Sequence, residues 1–234
     1  MAKSDRLLFN KIVQEGYKPK NICEIGIDKP EFSNVLGFIQ QDIPTTLVEA
    51  DPDCIKQINN LFLYHKKVNV VEAAVFDFNG TIELCKSESS TFISDLSASP
   101  ALINDNYQKT KSNSFVAKSI LFSEIDNGDF DLISIDIEGA EWYVLKNMIS
   151  RPNILSNETH GKYYTNPNIA EINNWIIKNN YKIWYKDKSD TVYIKDNLFN
   201  IKISEKLQLL ITNTKISIIK KKKILKKIVA VFKK

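Results

Sequence analysis

One stretch limits the fold more than any other. Asp131 to Trp142 is an apolar strand that runs into three carboxylates and a glycine. Leu132, Ile133, Ile135 and Ile137 leave no polar face, as in a parallel strand covered on both sides. Such a strand ends at the carboxyl edge of an open α/β sheet, where these sheets bind ligands. Asp136 falls at the strand tip. Glu138 and Glu141 fall in the first turn of a helix expected over 138–149, where the helix dipole favours acids. Three acids at one sheet edge point to a site.

Two further junctions have the same form. Ile22-Cys23-Glu24-Ile25-Gly26-Ile27-Asp28 is a short apolar run ending in acids and a glycine. Thr45 to Glu49 is another, with Pro52 placed where proline opens a helix well. Glu49 lies 23 residues after Gly26. In a βαβ unit, an acid at about 20 residues past the glycine turn reaches the ribose hydroxyls of a nucleoside. The spacing leaves room for a helix from about Glu31 to Gln41.

The remaining periodicities place a helix at 52–64, a strand at 68–75 and an Asn79-Gly80 hairpin turn to 81–84. A polar stretch follows at 86–114, then a helix at 115–122 and a strand at 131–136. Beyond it lie a strand at 153–158, a helix at 168–179 and strands at 181–187 and 190–196.

The order of these pieces resembles the FkbM-type family of S-adenosylmethionine-dependent methyltransferases. Ile135-Asp136-Ile137-Glu138-Gly139-Ala140-Glu141 is similar to the family's Asp-x-Glu-Gly-Ala-Glu stretch. Val48-Glu49-Ala50-Asp51-Pro52 is similar to its ribose segment. Glu72 to Gly80 is similar to the segment after its third strand, and Glu158-Thr159-His160 to its Glu-x-His. The family's first loop usually carries two glycines; here Pro30 stands where the second falls, so the loop must differ in shape. The dinucleotide fingerprint G-x-G-x-x-G is absent, which counts against a nicotinamide enzyme.

The resemblance implies a class I methyltransferase fold. This is a Rossmann-like three-layer α/β sandwich with a mostly parallel sheet and one antiparallel C-terminal strand. It implies S-adenosylmethionine as cofactor, held by Glu24, Gly26, Asp28, Glu49, Ala50, Ala74 and Asp136. Catalysis falls to His160, Asp136 and Glu158, with His160 either the base, since imidazole titrates near about 6.5, or a ligand that positions the acceptor. Asp136, Glu138, Glu158 and His160 have donor types that Mg²⁺ accepts, but their spacing carries no metal signature, and a metal is not favoured. The expected reaction is O-methylation of a sugar, a glycan precursor or a related small molecule. The alternative is a non-catalytic nucleoside-binding module anchored by its tail.

The chain of 234 residues divides, on this reading, into a leading helix (1–20), the methyltransferase-like domain (21–200) with a lid at 86–114, and a basic appendage (201–234). Phe92, Tyr107, Tyr163, Tyr164 and Trp142 are candidates to stack on a sugar. The three cysteines show neither metal spacing nor a disulfide framework and read as reduced thiols. No secretory signal or spanning run is evident, so a cytoplasmic protein is expected. The net charge of +4 hides an asymmetry. Residues 215–234 hold nine lysines and no acid, which leaves 23 basic and 28 acidic residues, a net −5, in the first 214. Ile224, Leu225, Ile228, Val229 and Phe232 fall at helical spacing among those lysines. Such a helix reads either as an element for the inner membrane face or as one packed on the body. A tail almost free of arginine and aromatic residues argues against nucleic acid.

Overall fold

The computed structural model describes residues 7–87, 90–104, 107–108 and 113–231, without the side chains of 224 and 226–231. In chain order the elements are α1 (Leu7–Gln14), β1 (Ile22–Ile25), α2 (Leu36–Ile39), β2 (Thr45–Glu49), α3 (Pro52–Leu61), β3 (Val68–Glu72), β4 (Ala74–Val75), β5 (Gly80–Lys86) and β6 (Thr91–Ile93). There follow α4 (Pro100–Asn104), β7 (Ser114–Ile120), β8 (Leu132–Ile135), α5 (Glu141–Lys146), β9 (Ile154–Glu158), α6 (Ile169–Lys178), β10 (Tyr181–Lys186), β11 (Asp190–Lys195) and α7 (Ile203–Val231).

Seven strands form the central sheet in the order β10-β11-β9-β8-β1-β2-β3. The pairs from β9 through β3 are parallel, and β11 runs antiparallel to both neighbours. This is the class I methyltransferase topology. The inner strands are apolar on both faces because both are covered. Ile22, Leu47, Leu132, Ile154, Val192 and Trp184 point to one side, against Leu8 and Ile12 of α1, Phe38 of α2 and Ile58 of α3. Cys23, Ile25, Val48, Ile133, Ile135, Leu155 and Tyr193 point to the other, against Val144 and Leu145 of α5 and Ile172 and Ile176 of α6. The strand order reverses between the parallel neighbours β1 and β8, so the crevice outside their carboxyl ends is the topological switch point.

Several expected elements take another form. Residues 115–122 are not a helix: Ser114–Ile120 is β7, and it pairs with β5 in a second sheet of order β4-β7-β5-β6. Asn79-Gly80 therefore does not turn the third strand back on itself; β5 joins β6 and β7 instead. The lid stretch 86–114 supplies β6 and α4, so in its described part it is wall rather than loop. The helix expected from Glu31 to Gln41 is a 3₁₀ turn at Pro30–Phe32 and the short α2. The helix expected at 138 starts at Glu141, because Glu138 and Gly139 both adopt positive φ, at 57° and 111°.

α7 begins twelve residues before the basic run. Glu205, Leu209, Thr212, Ile216, Lys220 and Lys223 recur every third or fourth position and are half-buried. Glu205 accepts hydrogen bonds from Lys11 Nζ at 2.7 Å and Trp184 Nε1 at 2.9 Å, which fixes the helix to α1 and β10. Ile203, Leu207, Leu210, Ile211, Ile218 and Leu225 fall on the opposite face and are exposed. The expected stripe through Ile224, Ile228, Val229 and Phe232 lies outside the described residues and side chains. Among the described residues, no helix is long and apolar enough to cross a membrane.

Candidate active site

The register aligns five strand ends. Ile25 pairs with Val48 and with Ile135, Ile135 with Asn157, and Glu158 with Asp190. One residue further along, Glu49, Gly26, Asp136 and Glu158 form a row across β2, β1, β8 and β9, which Asp190 continues on β11. Four of the five bear carboxyl groups.

A cavity of about 720 Å³ opens above this row. Glu24, Gly26, Asp28, Glu49, Ala50, Ala74 and Asp136, the residues expected to hold a cofactor, all line it. Glu49 is buried, and its carboxylate takes backbone N–H groups from Ile27 (2.8 Å), Ala50 (2.7 Å) and Asp51 (2.8 Å). It thereby ties the β1 loop to the end of β2. Glu24 is equally buried and holds the other end of that loop, accepting from Ser33 Oγ and from Asn34 N at 2.7 Å. Burial raises its carboxyl to about 7 against these bonds, and Asp136 and Glu49 add to the rise. The 3₁₀ turn that Pro30 opens delivers Ser33 and Asn34 to Glu24, so this grip closes the loop where a second glycine was expected. Asp28 stands exposed on the cavity wall in a left-handed conformation, φ 50°.

The second carboxyl group of the row is half-buried. Asp136 lines the cavity, and burial, then Asp187 and Asp28, raise it to about 6. Glu141 is fully buried and works as a clamp: one oxygen accepts from Ile137 N (3.2 Å) and Gly139 N (3.0 Å), the other from Asn166 Nδ2. It shapes the turn that presents Asp136 and Glu138. Burial also raises Glu141 to about 7.

His160 does not join this group. It is 4% exposed and is not part of the cavity wall. Nε2 lies 3.3 Å from the Asp187 carbonyl and Nδ1 3.0 Å from Thr159 Oγ1. With Nε2–H donating, Nδ1 accepts the threonine hydroxyl, and no ring nitrogen is left for an acceptor. Burial, then Lys186, lowers its pKa to about 4. The side chain expected to act as base thus lies off the cavity wall and staples β9 to the β10–β11 turn. Glu158 is also off the cavity wall, behind Asp136, and burial together with Asp136 raises its pKa well above the usual range. Of the four proposed metal donors, Asp136, Glu138 and Glu158 come together, with donor oxygens within 4.8 Å of one another, and His160 does not.

The aromatic candidates are largely structural. Phe92 is buried against Tyr107, with ring centroids 5.9 Å apart, and the Tyr107 hydroxyl donates to Lys86 O at 2.8 Å. Tyr164 is fully buried, and Trp142 packs on the core. Tyr163 lies beneath Lys223 of α7, 4.1 Å from its Nζ. The cavity wall includes Ser90 to Ile93 of the second sheet, within the stretch expected as a lid and with Phe92 among them, and two segments that no motif announced: Lys186 to Asp190 of the β10–β11 turn, and Gln208 and Thr212 of α7. The three cysteines are free and buried.

Fold and crevice define a class I methyltransferase. The chain belongs to the FkbM methyltransferase family: residues 19–183 match the Methyltransferase FkbM domain. No curated protein matches the sequence significantly. Among solved structures, the chain is similar to a protein from Staphylococcus aureus assigned as a caffeoyl-CoA O-methyltransferase, with 17% identity, 81% of each chain covered and a TM-score of 0.46. An assigned O-methyltransferase from Klebsiella pneumoniae shows 14% identity, 83% of this chain and 81% of that one covered, and a TM-score of 0.44. Fibrillarin from Aeropyrum pernix, solved with S-adenosyl-L-methionine, shows 10% identity, 80% and 73% covered, and a TM-score of 0.43.

Proposed function

We propose that the chain binds S-adenosylmethionine in the β1–β8 crevice and transfers its methyl group to a hydroxyl of a sugar or glycan precursor. The observation that carries this reading is the cavity wall itself. Carboxyl groups of Glu24, Asp28, Glu49 and Asp136 stand beside the apolar surfaces of Ala50, Ala73, Ala74 and Val75. A ligand with an ammonium group, a cationic sulfur, a ribose diol and a flat purine matches that donor set. Bound there, the cofactor supplies a methyl group on a sulfonium whose departure leaves a neutral thioether.

The protein's share is alignment and proton acceptance. The turn clamped by Glu141 holds Asp136 at the cavity floor, where the carboxyl cluster receives the proton of the attacking hydroxyl. The β10–β11 turn, Gln208 and Thr212 close the side away from β2, and we assign the acceptor to that side. Calorimetry with S-adenosylhomocysteine tests the first half of the reading. Transfer of labelled methyl to a panel of sugar hydroxyls tests the second. Asp136→Asn should weaken the first and abolish the second. Binding without transfer to any hydroxyl would favour a non-catalytic nucleoside-binding module.

The outer face of α7 supports a peripheral role at an anionic membrane. Its exposed apolar residues face away from the body, and Lys206, Lys215 and Lys222 flank them at helical spacing. The basic tail and the acidic body have opposite charge, which orients the helix towards anionic lipid.

A further inference from the structure

The cavity is acidic at one end and basic at the other. Glu24, Asp28, Glu49 and Asp136 stand on the proposed cofactor side, while Lys186 and Lys188 line the wall of the β10–β11 turn. Lys29, the third lysine of the wall, belongs to the β1 loop, where its charge acts on Asp28. Lys186 is the last residue of β10 and is half-buried, whereas Lys188 is exposed. An ammonium group withdrawn from water loses hydration that only a facing anion or dipole restores.

The acids nearest in sequence are engaged by the turn itself. Asp187 Oδ1 accepts from Ser189 N at 3.1 Å and from Asp190 N at 2.8 Å. Asp190 is buried and accepts from Ser189 Oγ at 3.1 Å. Among the described residues, no ion pair includes Lys186 or Lys188. Burial lowers the pKa of Lys186, where a paired carboxylate would raise it. A further lysine comes from α7. Lys220 lies about two turns beyond Thr212 on the half-buried side of the helix, and its Nζ donates to Thr165 Oγ1. Its charge and that of Lys186 oppose each other, and both act on the buried ring of His160. The fold thus holds two ammonium groups near one another against their repulsion, at the end of the cavity remote from β2.

Resting on the methyltransferase reading of this cavity, we infer that the acceptor carries an anionic group, a phosphate ester or a carboxylate, and that Lys186 anchors it. Lysine binds such groups as a point charge. The cofactor's own carboxylate does not fill this role. It shares a carbon with the ammonium group, which the carboxyl groups at the other end attract. β10 stands four strands from β1 in the sheet, roughly 19 Å at about 4.8 Å per strand. An acceptor held at Lys186 by its charged group extends across the cavity and brings its hydroxyl to Asp136. Lys188, at the rim, adds attraction during approach, and Lys220 adds to the field from behind.

The test titrates the full chain with two small anions, inorganic phosphate and acetate, at low ionic strength. Binding is followed by the NMR line widths of the anion, with and without saturating S-adenosylhomocysteine. The expected result is one saturable site for at least one anion, kept when S-adenosylhomocysteine is bound and weakened roughly tenfold or more by Lys186→Gln. Tighter phosphate would identify the acceptor's group as a phosphate ester, and tighter acetate as a carboxylate. Lys188→Gln, at an exposed turn position, should weaken the site about threefold and serves should Lys186→Gln not fold. Absence of a saturable site for both anions overturns the inference, as does undiminished affinity in a folded variant. Loss of the site on adding S-adenosylhomocysteine overturns it too, since the lysines would then serve the cofactor's carboxylate. S-adenosylhomocysteine titrated alone reports on the methyltransferase reading, so the two failures are distinguishable.

Discussion

The backbone carbonyl oxygen of Asp136 lies 1.8 Å from where a β-carbon on Gly26 would stand. The two strands at the switch point therefore meet only because Gly26 has no side chain, at a φ of 80°. Glycine at this position is required by the protein's own β8 before any ligand is considered. Gly26→Ala should cost about 2–5 kcal/mol from the left-handed backbone and the collision together. The melting temperature should fall by several degrees, and affinity for S-adenosylhomocysteine by tenfold or more. Calorimetry and a melting curve on the same sample check both, and a normal melting temperature would contradict the packing argument.

Glu24 gives a pH dependence with a definite sign. Its carboxyl is raised in the folded chain from 4.5 to about 7. Between these values the unfolded chain has released a proton that the folded chain keeps, so stability falls as pH rises and levels off above about 7. The shift corresponds to about 3 kcal/mol. Asp136 and Glu141 move in the same direction, so the wild-type slope is composite. Urea denaturation from pH 5 to 8 should give a shallower slope for Glu24→Gln. Equal slopes would remove Glu24 from the account.

A third expectation concerns His160. With Nδ1 and Nε2 engaged by Thr159 and Asp187, His160→Asn should retain turnover within about threefold. It should lose about 1–2 kcal/mol of stability from the broken staple. Initial rates with a competent acceptor, set beside a melting curve, decide the matter. Loss of turnover at full stability would restore the imidazole to the chemistry.

The outward face of α7 can be altered without touching the body. Leu207→Glu with Ile218→Glu changes two residues that are 57% and 46% exposed. Sedimentation with phosphatidylserine vesicles should be lost, with the melting temperature unchanged. Light scattering on the wild type adds the competing outcome, since a stable dimer lost in the same variant would mean that a second copy covers this face.

Much of the sheet was legible because its inner strands are continuous apolar runs. β2 begins and ends where expected, β1 and β8 are a residue shorter at each end, and β9 is a residue shorter at its start. The errors came from non-local pairing. Phe115, Ala117 and Ile120 satisfy a loose helical spacing, and nothing nearby reveals that β5, some 34 residues earlier, is the partner that extends them. The helix after β8 was placed too early because acids suit a helix N-terminus, whereas Glu141 reaches back to hold Ile137 and Gly139 in a turn. At the site, the gathering of Glu24, Gly26, Asp28, Glu49 and Asp136 round one cavity followed from strand ends and spacing. The placement of His160 did not, since residue type shows reactivity while burial and bonded partners depend on where the fold brings the Thr159 hydroxyl and the Asp187 carbonyl.

Apart from Leu7 and the floor at 136–140, the cavity is walled from two distant parts of the chain. Residues 24–93 contribute the β1, β2, β4 and β6 side, and residues 186–212 close the other. Only the second group is free of contacts that hold β1 and β2 together. Substitutions at Lys186 to Asp190, Gln208 or Thr212 can therefore accumulate without disturbing the first group. A lineage carrying this scaffold can diversify what it accepts while inheriting the other half of its pocket unaltered.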